Sequence, residues 1–180
     1  MDDLQHTAAD AAAGDPLAAA RLVRETQTDV WRLCAALGDP GSADDLTQET
    51  YLRAFGSLHR FEGRSSLRTW LLTIARRVCA DAIRSRRRRR LTLVRDPATL
   101  ERPSLADLSA EQTGVADLLA RLDADRREAF VLTQLRGLSY AEAADVAGCP
   151  IGTVRSRVAR ARADLVEALD DDSSAGAALS

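Results

Sequence analysis

The sequence predicts an all-α fold of two small helical domains joined by a flexible linker, and three observations predict it. The chain is 46% hydrophobic but only 4% aromatic, so its core must be built mainly from Ala, Leu and Val. That composition suits close-packed helices better than a sheet. Apolar residues recur at spacings of three and four in several blocks, the period of an amphipathic helix. Between those blocks, residues 92–113 lose the period, contain Pro97 and Pro103, and carry four acids against two arginines. A length of 180 residues permits one large domain or two small ones, and this interruption favours two.

The elements follow in order. MDDLQHTAADAAAGDP is polar and acidic, without the basic start and apolar run of a signal peptide; residues 1–13 read as a disordered N-terminus. No apolar stretch approaches the roughly 20 residues that span a bilayer, so a soluble, cytoplasmic protein without membrane insertion is expected. Residues 15–38 read as a helix through Leu17, Ala20, Arg21, Val23, Arg24, Val30, Trp31, Cys34 and Leu37, stopped by Gly38-Asp39-Pro40-Gly41. Ser42 is placed to cap the next helix, with Asp44 and Asp45 in its first turn, where carboxylates complement the dipole. That helix carries Leu46, Thr50, Tyr51, Ala54 and Phe55 on one face and Asp44, Asp45, Gln48 and Glu49 on the other.

A loop, HRFEGRSS (59–66), precedes the most regular helix. Leu67, Trp70, Leu71, Ile74, Ala75, Val78 and Ala82 form its apolar stripe, which favours Trp70 as a core residue over a stacking platform. Its polar face holds Arg68, Thr69, Thr73, Arg76, Arg77 and Arg84 and runs into Arg86–Arg90. From Arg64 to Arg90 there are ten arginines and one acid, Asp81. All 25 basic residues of the chain are Arg; a coding bias explains that as well as phosphate preference does, so placement carries the information. Beyond 92–113, two amphipathic segments, 115–122 and 124–136, end at Gly137, and an acidic tail begins at Asp170.

Residues 138–162, LSYAEAADVAGCPIGTVRSRVARAR, read as one unit. Ser139 and Glu142 stand at capping-box spacing. Ala143, Ala144 and Ala147 keep the inner face of a short helix small. Gly148 supplies a residue free to take positive φ, and Pro150 suits the first turn of the following helix. Val154 and Val158 point to the core, leaving Arg155, Ser156, Arg157, Ala159 and Arg160 on other faces. This is the pattern of a helix–turn–helix, whose second helix fits the major groove, where arginine reads guanine edges or holds phosphates.

Cys34, Cys79 and Cys149 are far apart, without CxxC spacing, which argues against a secreted disulfide scaffold or a zinc site. His6 and His59 have no evident catalytic partners, and no phosphate loop or carboxylate pair stands at catalytic spacing. No enzyme activity, cofactor or metal is expected.

Three stretches together resemble the extracytoplasmic-function (ECF) sigma factors of the sigma-70 family. SADDLTQETYLRAF resembles region 2.2, FEGRSSLRTWLLTIARRVCADAIRSRRRR regions 2.3 and 2.4, and the helix–turn–helix region 4, in the family's order and over nearly the whole chain. The resemblance implies region 2 at 14–91, a linker at 92–113, region 4 at 114–170 and a tail at 171–180. It implies a sigma factor that binds core RNA polymerase and promoter DNA, with an anti-sigma factor as a further candidate partner. Carried over by position, core polymerase would meet Asp44, Asp45, Leu46, Gln48 and Glu49. The −10 element would meet Phe61, Gly63, Arg64, Ser65, Ser66, Thr69, Arg76, Arg77 and Arg84, with Arg86–Arg90 extending the phosphate track or forming a solvated helix end. The −35 element would meet Thr153, Arg155, Ser156, Arg157, Ala159 and Arg160. The alternative is a helix–turn–helix regulator that acts without being a polymerase subunit; it explains 138–162 but not the acidic helix 43–55 or the basic segment 59–90.

Overall fold

The computed structural model describes residues 3–39, 41–93 and 110–177, and these contain eight α-helices and no strand. They fall into two compact units, Met1–Ser104 and Leu105–Ser180. Most of the expected linker, 94–109, lies outside the described residues, as do the last three residues of the tail.

Unit 1 packs α1 (Asp3–Ala12), α2 (Pro16–Leu37), α3 (Ala43–Ser57) and α4 (Leu67–Leu93), with a 3-10 turn at Leu58–Arg60. The N-terminus differs from the expected disorder over 1–13. An alanine-rich run with high helix propensity forms α1, and its small Thr7 and Ala8 are buried as it packs on α2. Asp15 starts α2 by accepting the Leu17 N–H at 2.8 Å, with Pro16 at the first helical position. The buried stripe of α2 runs through Ala18, Leu22, Thr26, Val30, Leu33, Cys34 and Leu37. Leu17, expected on that stripe, is 78% exposed, because an alanine-rich first half leaves the phase of the stripe undetermined by sequence. With Leu67, Leu71, Leu72, Ala75 and Val78 of α4, these residues make the core.

The α2–α3 turn depends on Gly38. A Cβ there would stand 2.5 Å from Leu46 Cδ1 and 2.6 Å from the Cys34 carbonyl oxygen. Ser42 does not cap α3 with its side chain; its hydroxyl donates to the Asp39 carbonyl at 2.6 Å instead.

Unit 2 comprises α5 (Ala110–Arg121), α6 (Ala124–Phe130), α7 (Tyr140–Ala147) and α8 (Ile151–Ala177). The segment expected as one amphipathic stretch, 124–136, is α6 followed by a π-helical turn, Val131–Leu135, closed by the Arg136 N–H on the Val131 carbonyl at 2.9 Å. Arg127 caps the end of α5, donating from Nη2 to the Ala120 and Leu122 carbonyls at 3.0 and 3.1 Å. Burial pushes its guanidinium pKa down. The Ser139–Glu142 capping box forms in both directions, and Gly148 ends α7 at φ +66°. Ala143 and Ala144 let α8 approach α7, and Val146, Val154, Val158 and Ala161 close the core with Val131 and Leu132. The last helix passes Asp170 and runs to Ala177, beyond the point where the sequence predicts fraying.

Candidate polymerase and DNA interfaces

On α3, Asp44, Asp45 and Gln48 are exposed and Glu49 is half-buried. Leu46 corrects the sequence expectation: only 7% exposed, it lies under the Gly38 turn and belongs to the core, since α3 turns its fourth residue inward. Asp44 accepts the indole N–H of Trp31 at 2.8 Å. Trp31 is 40% exposed and, with Val23, Gln27, Asp44, Gln48 and Tyr51, lines an open groove of about 420 Å³ between α2 and α3. Sequence reasoning put Trp31 on the inner stripe and missed this position. Glu49 takes Arg53 at 2.7 Å, and Arg53 also donates to Asp81 on α4 at 2.7 Å.

The loop before α4 gathers most of the candidate −10 residues. Gly63 turns the chain at φ +69°, a conformation that L side chains rarely adopt. The Phe61 ring lies 5.3 Å from that of Trp70, tilted by 51°, and both are half-buried. Trp70 therefore faces the loop as well as the core. Ser66 accepts the Thr69 N–H at 3.1 Å and lies 2.9 Å from its hydroxyl. Thr69 itself is 2% exposed, which corrects its placement as a lining residue: it is a strut that fixes Ser66 at the start of α4. Arg64 is exposed and paired with Glu62, while Ser65 is half-buried.

Farther along α4, Arg77 is exposed and Arg76 half-buried. Arg84 binds Asp81; Arg53 first, and Arg84 after it, hold the Asp81 carboxyl below its usual pKa. Within the arginine run, Arg86 pairs with Asp39 at 2.8 Å and Arg89 reaches Ser85 at 3.3 Å.

In unit 2, α8 presents Arg155, Ser156, Ala159 and Arg160 to solvent, with Thr153 half-buried. The Arg155 guanidinium lies 5.7 Å from the centre of the Tyr140 ring, a cation–π distance. Arg157 behaves differently. Its side chain is 26% exposed, pairs with Asp125 on α6 and touches Cys149 Sγ at 3.6 Å. Further ties to α8 are Arg126–Asp164 and Arg162–Gln134, each at 2.7 Å.

Two family models match, each on one unit: Sigma-70 region 2 over residues 22–89 and Sigma-70, region 4 over residues 113–165. An ECF RNA polymerase sigma factor, SigC of Mycobacterium tuberculosis (strain CDC 1551 / Oshkosh), is 53% identical over 90% of this chain and 89% of its own length. The chain belongs to the ECF sigma factors. The EcfG sigma factor of Rhodopseudomonas palustris (strain TIE-1) is 39% identical over 71% of each chain. Among solved structures, CnrH in complex with the cytosolic domain of CnrY matches with TM-score 0.74 and 33% identity, covering 95% of this chain and 99% of that one. RpoE of Bartonella quintana in complex with the anti-sigma factor NepR matches with TM-score 0.66 and 32% identity, covering 83% and 95%. As a member of this family the chain is a transcription-initiation factor rather than an enzyme. A regulator independent of polymerase would leave the region 2 match in unit 1 unexplained. Among the described residues, no helix is long and apolar enough to cross a membrane.

Proposed function

We propose that this sigma factor binds core RNA polymerase through the acidic face of α3 and holds promoter DNA at two elements, one per unit. Asp44, Asp45, Gln48 and Glu49 meet a basic surface of the polymerase, with the Trp31 indole at the margin of the same face. Acidic side chains on a fixed helix give such a contact its orientation and on-rate. The 61–66 loop, with Phe61, Gly63, Arg64, Ser65 and Ser66, receives a flipped base of the −10 element. The few kcal/mol that extrusion costs are offset by stacking and edge contacts. Arg76, Arg77 and Arg84 guide the melted backbone as a positive track, which Arg86–Arg90 extend. Helix α8 enters the major groove at the −35 element. The protein works in the cytoplasm, and an anti-sigma factor is a further partner, as it is for the Bartonella relative.

The observation that carries this reading is the pairing of region 2 and region 4 on one chain, each with its own exposed charged face. Co-elution of the purified chain with bacterial core RNA polymerase on size exclusion tests it. The wild type is expected to co-elute and the Asp45→Arg/Glu49→Arg double variant to elute alone. Binding that survives the double charge reversal places the polymerase contact elsewhere. Tight binding to duplex promoter DNA without polymerase would favour an independent regulator.

A further inference from the structure

The arginines of α8 are not equivalent, and their partners divide them. Arg155 and Arg160 are exposed. Arg155 is steadied over the Tyr140 ring, an interaction that uses the face of the guanidinium and leaves its N–H edge available. Arg157, two positions on, folds back under the helix–turn–helix, with Asp125 of α6 on its guanidinium and the Cys149 sulfur beside it. Arg162, one turn after Val158, reaches Gln134 at the π-helical turn.

We infer that Arg157 is a brace and not a DNA contact, and that Asp125 on α6 is the positioning residue that sets the angle of the reading helix. Arg155 and Arg160 then carry the phosphate and base contacts. The inference rests on α8 being the −35 helix. Asp125 stands in the first turn of α6, where the N–H of its own backbone is held by Asp123 at 3.0 Å. That bond fixes the backbone from which the Asp125 carboxylate reaches the guanidinium. Arg126–Asp164 ties the same two helices 7 positions farther along α8, so α8 is held to α6 at two heights. A helix clamped twice resists rolling in the groove; with the Arg126–Asp164 tie still in place, loss of the Arg157–Asp125 tie loosens the fit of Arg155 and Arg160 without breaking their contacts.

Salt dependence separates a brace from a phosphate contact. Each neutralised phosphate contributes about 0.9 to the slope of log K against log salt, whereas a brace contributes to affinity without changing the slope. The measurement uses full-length chain bound to core polymerase and a −35 duplex selected from a randomised pool by the wild-type holoenzyme. Arg155→Met and Arg160→Met are each expected to lower the slope by about 0.9. Arg157→Met is expected to leave the slope unchanged and to weaken binding about threefold, the scale of a partly exposed ion pair. Asp125→Asn is expected to give the same loss, and the double variant no more than either single one.

A slope lowered by Arg157→Met to the same extent as by Arg155→Met overturns the inference and leaves the −35 reading intact. A slope that none of the three arginine variants moves overturns the −35 reading of α8, and the inference with it. Should Arg157→Met fail to fold, Asp125→Asn decides alone. Weaker binding supports a brace, and tighter binding means that Asp125 merely repels DNA.

Discussion

The loop that leads into α4 and the helix α8 both expose arginine, the proposed DNA contacts of each unit, but on different supports. In unit 1 the support is irregular: a glycine at positive φ, a Ser66–Thr69 hydrogen-bonded start and a tilted Phe61–Trp70 pair. In unit 2 it is one regular helix, cased by a capping box, a left-handed glycine and ion pairs to α6. An unpaired base has two exposed ring faces and needs a shaped, aromatic recess. A duplex groove is a regular object, and a straight helix with small residues near the backbone fits it. The contrast teaches that arginine alone does not define a surface: under the proposed function, the shape of the support decides which form of DNA each one suits.

The largest expected effect breaks the comparison on the single-stranded side. Phe61→Ala removes one ring of the pair and should weaken binding of a fork carrying a melted −10 strand about tenfold, the scale of one lost stacking contact. Duplex binding at −35 should stay unchanged. Fluorescence anisotropy of the holoenzyme on the two probes measures both, and equal losses would erase the distinction between the surfaces. The helical side depends on its start. Ser139→Ala loses the hydroxyl arm of the α7 capping box, leaving only the backbone N–H of residue 139 on Glu142, and should cost unit 2 about 1 kcal/mol in urea unfolding. Ser42→Ala in unit 1, where no side-chain cap bond exists, should cost only a few tenths by the same assay.

Smaller effects sharpen the comparison. Arg77→Met should reduce the salt slope on single-stranded −10 DNA by about 0.7, against about 0.9 for an α8 phosphate contact on duplex. The smallest concerns Asp81, which joins α3 to α4 through Arg53 and also binds Arg84. Its folded pKa is depressed, so its contribution is present above the unfolded value and disappears as pH falls through the folded one, from about pH 4 downwards. Because the pair is nearly half exposed, screening limits that contribution to about 0.5 kcal/mol. Asp81→Asn should therefore lower thermal stability slightly at pH 7, and by progressively less as pH falls below about 4.

Several features were legible in the chain because they are local. The capping box, the Gly148 stop and the Val154/Val158 pair each lie within a few residues of their partners, and the structure places all of them as expected. The two faces of α3 were equally readable: Leu46 is buried with Thr50, Tyr51 and Ala54, as its period predicts, and only the family resemblance had placed it among the polymerase contacts. Helix α1 escaped the reading because Leu4 is its one large apolar residue; packing against α2, the 3-10 turn and α4 buries Thr7 and Ala8. Thr69 was carried into the −10 set by its position in the family resemblance, and only packing shows that it is buried with its hydroxyl against Ser66.

By itself, then, the sequence determined the helical class, the two-unit order, the helix–turn–helix and the sigma-factor resemblance, since period, caps and motif spacing act over one to four turns. Tertiary structure alone decided which arginines remain available. Arg157 meets Asp125 across 32 positions, Arg53 meets Asp81 across 28, and Trp31 meets Asp44 across the α2–α3 turn. It also buried Cys34 and Cys79, distant in sequence, in the core of unit 1, where the neighbouring Cys79 lowers the pKa of Cys34. A charged side chain binds the nearest opposite charge in space, and that neighbour is set by helix packing, which no local period encodes.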